Sequence, residues 1–331
     1  MNGGRATRPA PNVLYSAPMH DNGNRPIRSV GAYLWALSAI VCWGVMFPVG
    51  DLLMKRGAME PASVGMMRYL VATPLLLCGG LATRGRRAMF PRRALDWLWL
   101  ALMGLVGSAA MALLLFIAQR TVAPVNASLL EAYVPMQVVL LGFLGGRRPP
   151  WRQLASVAVG FAGSLLVLRA IDGSGIRLAA LGRGDLLVFL SGLCWAVYTA
   201  WGRGLANRLG GIVFTTWTVF FGGMWLALWQ LVRGCVPTLP HSALEWWCIL
   251  FLAVFPTGIA FLGWNEAHKG VSLAHLSFME YFPPLVAALC DVAFFHGHVT
   301  PWQWLGIAVV IAAAPKTRHP PRPCFKPRVS A

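Results

Sequence analysis

Long apolar runs separated by short polar stretches occupy most of the chain from residue 33 onward. Most of these runs reach the ~20 residues that a helix needs to cross ~30 Å of hydrocarbon. A run that spans lipid has to be helical, because lipid offers no partner for free backbone N–H and C=O groups. The pattern therefore predicts ten transmembrane helices, at residues 33–53, 61–82, 95–119, 122–146, 151–169, 184–203, 211–233, 243–268, 271–295 and 300–315.

The composition agrees with an all-α integral membrane protein. Of the 331 residues, 57% are hydrophobic and only 12% are charged, whereas a soluble domain carries about 25% charged residues. The seven cysteines are scattered and form no CxxC pair. Neither a disulfide framework nor a zinc site is indicated, and we expect no metal and no cofactor.

The basic residues are distributed unevenly along the chain, whose formal net charge is +17. With the N-terminus placed in the cytoplasm, 20 of the 28 lysines and arginines fall on the cytoplasmic side, 7 fall on the outer side, and Arg68 falls inside a span. This is the positive-inside pattern. It predicts that both termini are cytoplasmic and that basic loops meet anionic lipid headgroups. No nucleic-acid-binding motif accompanies the charge, so no nucleic-acid partner is expected.

The two ends of the chain are predicted to be terminal tails outside the membrane. Residues 1–32 and 316–331 are basic and rich in proline, and we expect both to be disordered and cytoplasmic. No short apolar segment with a cleavage site precedes the first span, which predicts that this span is a retained anchor. Between the tails, the spans divide into two groups of five, residues 33–169 and 184–315.

An internal repeat relates these two groups. The segments SLLEAYVP at 128–135 and SFMEYFPP at 277–284 lie 149 positions apart and align a serine, a glutamate and a proline. A unit of five helices has an odd number of crossings, so the second copy enters the membrane from the opposite side. The sequence thus predicts inverted-topology repeats that enclose a central site. The matched pairs are Ser128 with Ser277, Glu131 with Glu280, Pro135 with Pro284, and Cys42-Trp43 with Cys194-Trp195.

Several stretches resemble the EamA family of the drug/metabolite transporter superfamily. They are CWGVMFPVGDLL, MMRYLVATPLLL, ASLLEAYVPMQVVLLG and GLCWAVYTAWGRGLA, and the resemblance covers about residues 33–315. It implies ten helices in two inverted halves and secondary transport, often export, of small metabolites such as amino acids or drugs. The chain departs from the family where relatives carry an L-G-E-like turn, reading Leu144-Gly145-Gly146 and His296-Gly297-His298 instead.

Glu131 and Glu280 are the main candidate site residues. Each lies nine residues into its predicted span, ~13 Å from the start of the helix and close to the middle of the bilayer. A charge at this depth costs at least ~2.5 kcal/mol, so it faces a cavity or a partner, or it is neutralised by a proton. Two interpretations remain open: substrate contact or proton coupling, and a hydrogen bond that locks the halves together.

Arg68 is the basic residue inside a predicted span, about 11 Å from the start of its helix. Its planar guanidinium suits a substrate carboxylate. A structural ion pair with Glu131, Glu280 or Asp51 is the alternative, because a buried arginine needs an anion.

Four aromatic residues at or near repeat-matched positions, and one histidine, complete the candidate set. The aromatic side chains either line the site or pack against lipid and neighbouring helices. The histidine either relays protons near Glu280 or has a purely structural role, packed among its neighbours. These residues are Trp43, Trp195, Tyr133, Tyr281 and His275.

Taken together, these features predict a secondary active transporter in the bacterial inner membrane that exports a small metabolite by alternating access, with proton coupling as one option. A channel-like permease and an intramembrane enzyme are the alternatives. No G-x-S-x-G, H-E-x-x-H or P-loop pattern occurs, which disfavours an enzyme. The expected partners are a small-molecule substrate and membrane lipid, and the sequence does not decide between a monomer and a homodimer.

Overall fold

The computed structural model of the protein describes residues 30–55, 59–122, 124–131, 133–144, 151–167, 171–172, 175–176, 182–267, 270–271, 276, 279–295 and 300–312. Within them the prediction of an all-helical protein is confirmed, apart from one antiparallel pair of two-residue strands, β1 (Ile171–Asp172) and β2 (Gly175–Ile176). The first helix starts at Val30, inside the tail predicted for residues 1–32. The rest of that tail and the tail at 316–331 lie outside the described residues.

Six helices among the described residues are long and apolar enough to cross a membrane: α1, α2, α4, α8, α9 and α10. The other described helices are shorter, so the full set of ten spans remains a prediction. The helices are α1 (Val30–Lys55), α2 (Pro61–Arg84), α3 (Arg86–Met89), α4 (Ala94–Ala118), α5 (Pro124–Glu131), α6 (Val134–Leu144), α7 (Trp151–Val167), α8 (Arg183–Leu209), α9 (Gly211–Val232), α10 (Ala243–Ala267), α11 (Pro283–Phe295) and α12 (Pro301–Ala312).

Large apolar side chains cover the outward faces of the helices. Leu98 on α4 is 56% exposed, Leu186 on α8 58% and Leu231 on α9 75%. Water would disfavour so much contiguous apolar surface, whereas lipid accepts it. Such faces suit helices that are surrounded by lipid.

Helices from the two predicted halves of the chain pack against one another in a regular pattern. The helix α1 packs mainly against α10 and α11, and α8 packs mainly against α4 and α6. The helix α2 pairs with α9, and α7 pairs with α12. Each pairing joins a helix from residues 30–167 to one from residues 183–312. A shift of about 149 residues exchanges the contacts of α1 with those of α8 and maps the α2–α9 and α7–α12 pairings onto themselves.

The structure corrects the placement of the two glutamates inside continuous helices. Glu131 is the last residue of α5, and α6 begins only at Val134. Glu280 lies in a turn just before α11. In each case a proline, Pro135 or Pro284, follows the glutamate by four positions. A proline has no N–H to donate to the carbonyl four residues earlier, and its ring clashes with that carbonyl. The sequence thus breaks the helix at the acid in both places.

Candidate functional site

Two helices widen into π turns at corresponding positions, Leu105–Ala110 in α4 and Ala253–Ile259 in α10. In α10 the cause is Pro256, which has no N–H for the carbonyl of Leu252, and the Thr257 hydroxyl donates to that carbonyl instead at 2.7 Å. The turn in α4 packs against α8 and α9, and the turn in α10 packs against α1 and α2. Since π turns are frequent at functional sites, these segments mark the candidate site.

Arg68 on α2 reaches the second π turn and is fully buried. Its Nε donates to the Thr257 hydroxyl at 2.9 Å, and its Nη1 contacts the Met46 sulfur at 3.3 Å. Its Nη2 has no hydrogen-bond partner, and the guanidinium carbon lies 4.9 Å from the centroid of the Tyr69 ring. Within the described part of the chain, no carboxylate forms an ion pair with this arginine. The structural pair considered for Arg68 is therefore not formed in this structure.

Glu131 lies at the junction of α5 with α8. Its Oε1 accepts a long hydrogen bond of 3.5 Å from the Ser191 hydroxyl, which also donates to the carbonyl of Met111 at 3.0 Å. Among the described residues, neither a hydrogen bond nor an ion pair joins Glu131 to Arg68. Glu131 is thus held by a neutral donor.

An aromatic cluster, defined as Trp43, Trp195, Tyr198, Phe261 and Trp264, joins α1, α8 and α10. The Trp43 ring centroid lies 5.3 Å from that of Trp195 and 5.2 Å from that of Trp264. The indole N–H of Trp43 donates to the carbonyl of Pro256 at 3.1 Å.

Glu280 borders this cluster. Its Oε1 accepts from the indole N–H of Trp195 at 3.2 Å, and the glutamate residue is 8% exposed. The structure therefore brings Trp43, Trp195 and Glu280 together, with the π turn of α10 linking them to Arg68.

The remaining candidates lie elsewhere. The Tyr133 ring centroid is 4.9 Å from that of Phe161 on α7. The Tyr281 hydroxyl approaches Gly160 on the same helix so closely that a Cβ there would lie 2.8 Å away. Both tyrosines thus fit packing against α7 rather than membership of the aromatic cluster. His275 lies outside the described residues.

Polar contacts tie the helices together at both ends of the bundle. At the start of α4, Asp96 accepts two hydrogen bonds from Arg208 at the end of α8, with lengths of 2.9 and 2.5 Å. At the opposite end, the backbone N–H of Thr238 donates to the Ser63 hydroxyl at 3.0 Å. The backbone N–H of Glu60 donates to the Thr238 hydroxyl, also at 3.0 Å.

Removing the Asp96–Arg208 pair is expected to weaken the contact between the start of α4 and the end of α8. Arg208→Gln leaves the Asp96 carboxylate, 5% exposed, without its bidentate partner. Exposed pairs are worth ~0.2–1 kcal/mol and breaking a buried pair costs ~3–5 kcal/mol. The Arg208 side chain is 46% exposed. We therefore expect the free energy of unfolding to fall by an amount closer to the value for exposed pairs.

The readout is the apparent melting temperature of the purified protein in detergent, which should fall by a few degrees in Arg208→Gln. The matched control is Arg120→Gln, because the pair of Arg120 with Glu60 is 43% and 59% exposed. Equal melting temperatures for the two variants would contradict a stabilising role for the Asp96 pair.

Sequence reasoning missed Thr257, Met46 and Ser191 as neighbours of the candidate residues. One signal was available for the first of these: the shift of 149 that aligns the glutamates also aligns Ser108 with Thr257, both inside π turns. Among the residues that the structure describes, no group of three histidine, cysteine, aspartate or glutamate side chains is arranged to hold a metal ion.

Comparison with known proteins places this arrangement in context. The chain is 29% identical to a probable terminal-alkyne amino-acid exporter of Streptantibioticus cattleyicolor, over 84% of this chain and 91% of that protein. It is 25% identical to the aromatic amino acid exporter YddG of Ancylobacter novellus, over 85% and 93%. It is 23% identical to the uncharacterized transporter YyaM of Bacillus subtilis, over 81% and 87%.

One solved structure and one family model also match the chain. A solved crystal structure matches with a TM-score of 0.66 at 22% identity, covering 86% of this chain and 94% of the other. The sequence model of the EamA-like transporter family matches residues 30–169 and 182–314. The family and these relatives are transporters, which argues against an enzyme. The chain therefore belongs to the EamA-like transporter family and is an integral membrane transporter.

Proposed function

We propose that this chain is a secondary active exporter of a small metabolite, amino-acid-like or drug-like, that works by alternating access. The observation that carries the proposal is the pairing of the helices. The helix α1 packs on α10 and α11, and its counterpart α8 packs on α4 and α6. Two equivalent inverted halves that meet in this way can rock around a central site and open it to either side of the membrane.

The architecture that we propose has ten transmembrane helices in two inverted five-helix repeats, residues 33–169 and 184–315. In it, α5 and α6 together make the fourth span, and the turn around Glu280 with α11 belongs to the ninth. The match of the family to two separate segments supports this division. The uneven distribution of basic residues supports cytoplasmic termini, and the bacterial relatives support the inner membrane.

Export and substrate class rest on two relatives that are named amino-acid exporters. Proton coupling rests on Glu131 and Glu280, which occupy matched helix breaks. In the part of the chain that the structure describes, their hydrogen-bond donors are the neutral groups of Ser191 and Trp195. A carboxyl group in such a place can bind and release a proton as the site opens and closes. Lipid headgroups at the basic cytoplasmic loops are the second expected partner.

The test has two parts. Cells that lack the protein and cells that overproduce it are compared for metabolites retained inside and released outside. The compound identified is then assayed with purified protein in proteoliposomes. Saturable flux that accelerates when unlabelled compound is present on the opposite side supports alternating access. Non-saturating flux would indicate a channel instead, and chemical conversion without flux would indicate an enzyme.

A further inference from the structure

Arg68 is a buried cation whose hydrogen-bonding capacity is largely unused. A guanidinium has five N–H donors. Here one is used on the Thr257 hydroxyl, one points at the Met46 sulfur, and Nη2 has no partner. A thioether is a weak acceptor. The residue is 0% exposed.

The surroundings compensate this charge only in part. The guanidinium carbon lies 4.9 Å from the Tyr69 ring centroid and 5.7 Å from that of Phe116. Such cation–π contacts are worth ~0.5–2 kcal/mol, whereas taking one ion out of water costs several kcal/mol. Within the described ranges, no hydrogen bond or ion pair joins Glu131 to Arg68. An anion in contact with Arg68 would offset the remaining cost of burying its charge.

The free edge of the guanidinium has the shape that a carboxylate needs. The Thr257 hydroxyl occupies only Nε, and the terminal edge formed by Nη1 and Nη2 carries two parallel N–H groups that suit a bidentate carboxylate. Met46 is the group that an anion would displace. It has three flexible side-chain torsions, so it can turn aside at low cost.

The same π turn connects this edge to the aromatic cluster. Thr257 holds Arg68, and the preceding residue, Pro256, accepts the hydrogen bond from Trp43. Arg68 and Trp43 therefore contact adjacent residues of the same π turn. This arrangement fits a small amphipathic acid, with an apolar body and one carboxylate.

We propose that Arg68 binds the carboxylate of the transported molecule through Nη1 and Nη2, displacing Met46, while the apolar part of the molecule lies against Trp43. The inference rests on the transport function proposed above and adds the substrate class to it. Amino acids and other small carboxylic acids are accepted, and their amides and esters are rejected, because these lack the charge that Arg68 requires.

The experiment uses acid and amide pairs as competitors in proteoliposomes. Counterflow of radiolabelled phenylalanine and of radiolabelled leucine is measured against unlabelled phenylalanine, phenylalaninamide, leucine and leucinamide. For the wild-type protein we expect the acids to compete at least about a hundredfold better than the amides, as for a site built to bind a group that the analogue lacks. In Arg68→Lys, which keeps the charge but not the fork, the apparent affinity for the acids should fall at least about tenfold.

The matched control is Arg120→Lys, which changes an exposed arginine outside the proposed site and should compete like the wild type. Amides that compete as well as acids, or an Arg68→Lys variant that behaves like the control, would overturn the inference and leave the transport proposal standing. Absence of saturable counterflow for every probe also counts against it, and the metabolite comparison in cells then decides separately whether the protein transports at all. If Arg68→Lys does not fold, the wild-type comparison of acids with amides decides alone.

Discussion

Replacing Glu131 or Glu280 with glutamine is expected to abolish accumulation driven by a pH gradient while leaving exchange across equal pH largely intact. Glutamine has nearly the same shape as glutamic acid, and its amide oxygen can still accept the hydrogen bond from Ser191 or Trp195 that the carboxyl group accepts. It cannot bind or release a proton. The substitution therefore removes the coupling chemistry and retains the packing.

The direction of the effect follows from the proposed coupling. If protons enter as the metabolite leaves, an acidic outer compartment accelerates export by the wild-type protein. Each glutamine variant should respond to the gradient at least about tenfold less, a factor that corresponds to ~1.4 kcal/mol of lost coupling. Measurement is by transport in proteoliposomes with imposed pH gradients of both signs.

Glu60→Gln is the matched control, because Glu60 is an exposed glutamate paired with Arg120 outside the site and should keep the full response. Unchanged rate and pH dependence in both buried-site variants, at normal expression, would remove proton coupling from the proposal. The two glutamates would then be structural acids that hold α8 through Ser191 and Trp195.

The sequence predicts the framework of this site better than its local geometry. The repeat of SLLEAYVP as SFMEYFPP locates both acids and both prolines, but hydropathy averages over a window of about 19 residues. A break of two or three residues, such as the one where α5 ends at Glu131, leaves such an average unchanged. In each copy, the proline follows the glutamate by four positions. This spacing predicts the two helix breaks.

The partners of Arg68 were beyond the reach of sequence patterns for a different reason. Regular α-helical spacing turns the chain by ~100° per residue, so the extra residue of a π turn redirects every side chain that follows. Thr257 lies in such a turn, 189 positions from Arg68. A helical projection that assumes 3.6 residues per turn assigns its hydroxyl to the wrong face. Only the alignment of Ser108 with Thr257 connects the two π turns in the sequence.

Gly104→Val is expected to have the largest effect on folding, because α4 and α9 approach each other at this glycine. A Cβ at Gly104 would lie 2.7 Å from the carbonyl oxygen of Thr218 and 2.7 Å from the Cβ of Phe221. A carbonyl oxygen in the middle of α9 cannot move without the helix moving, so the strain cannot be relieved by a change of rotamer. Overpacking of this kind costs ~1–3 kcal/mol when the neighbours can yield, and more when they are backbone.

We expect the apparent melting temperature of Gly104→Val to fall by at least about 5 °C, or the yield of folded protein to collapse. Gly79→Val is the matched control, since an added Cβ at Gly79 on α2 meets nothing within 4 Å and the substitution changes helix propensity equally. If Gly104→Val and Gly79→Val have the same melting temperature, α4 and α9 are not held at this distance. The pairing of first-half and second-half helices would then be looser than alternating access about a shared, tightly packed site requires.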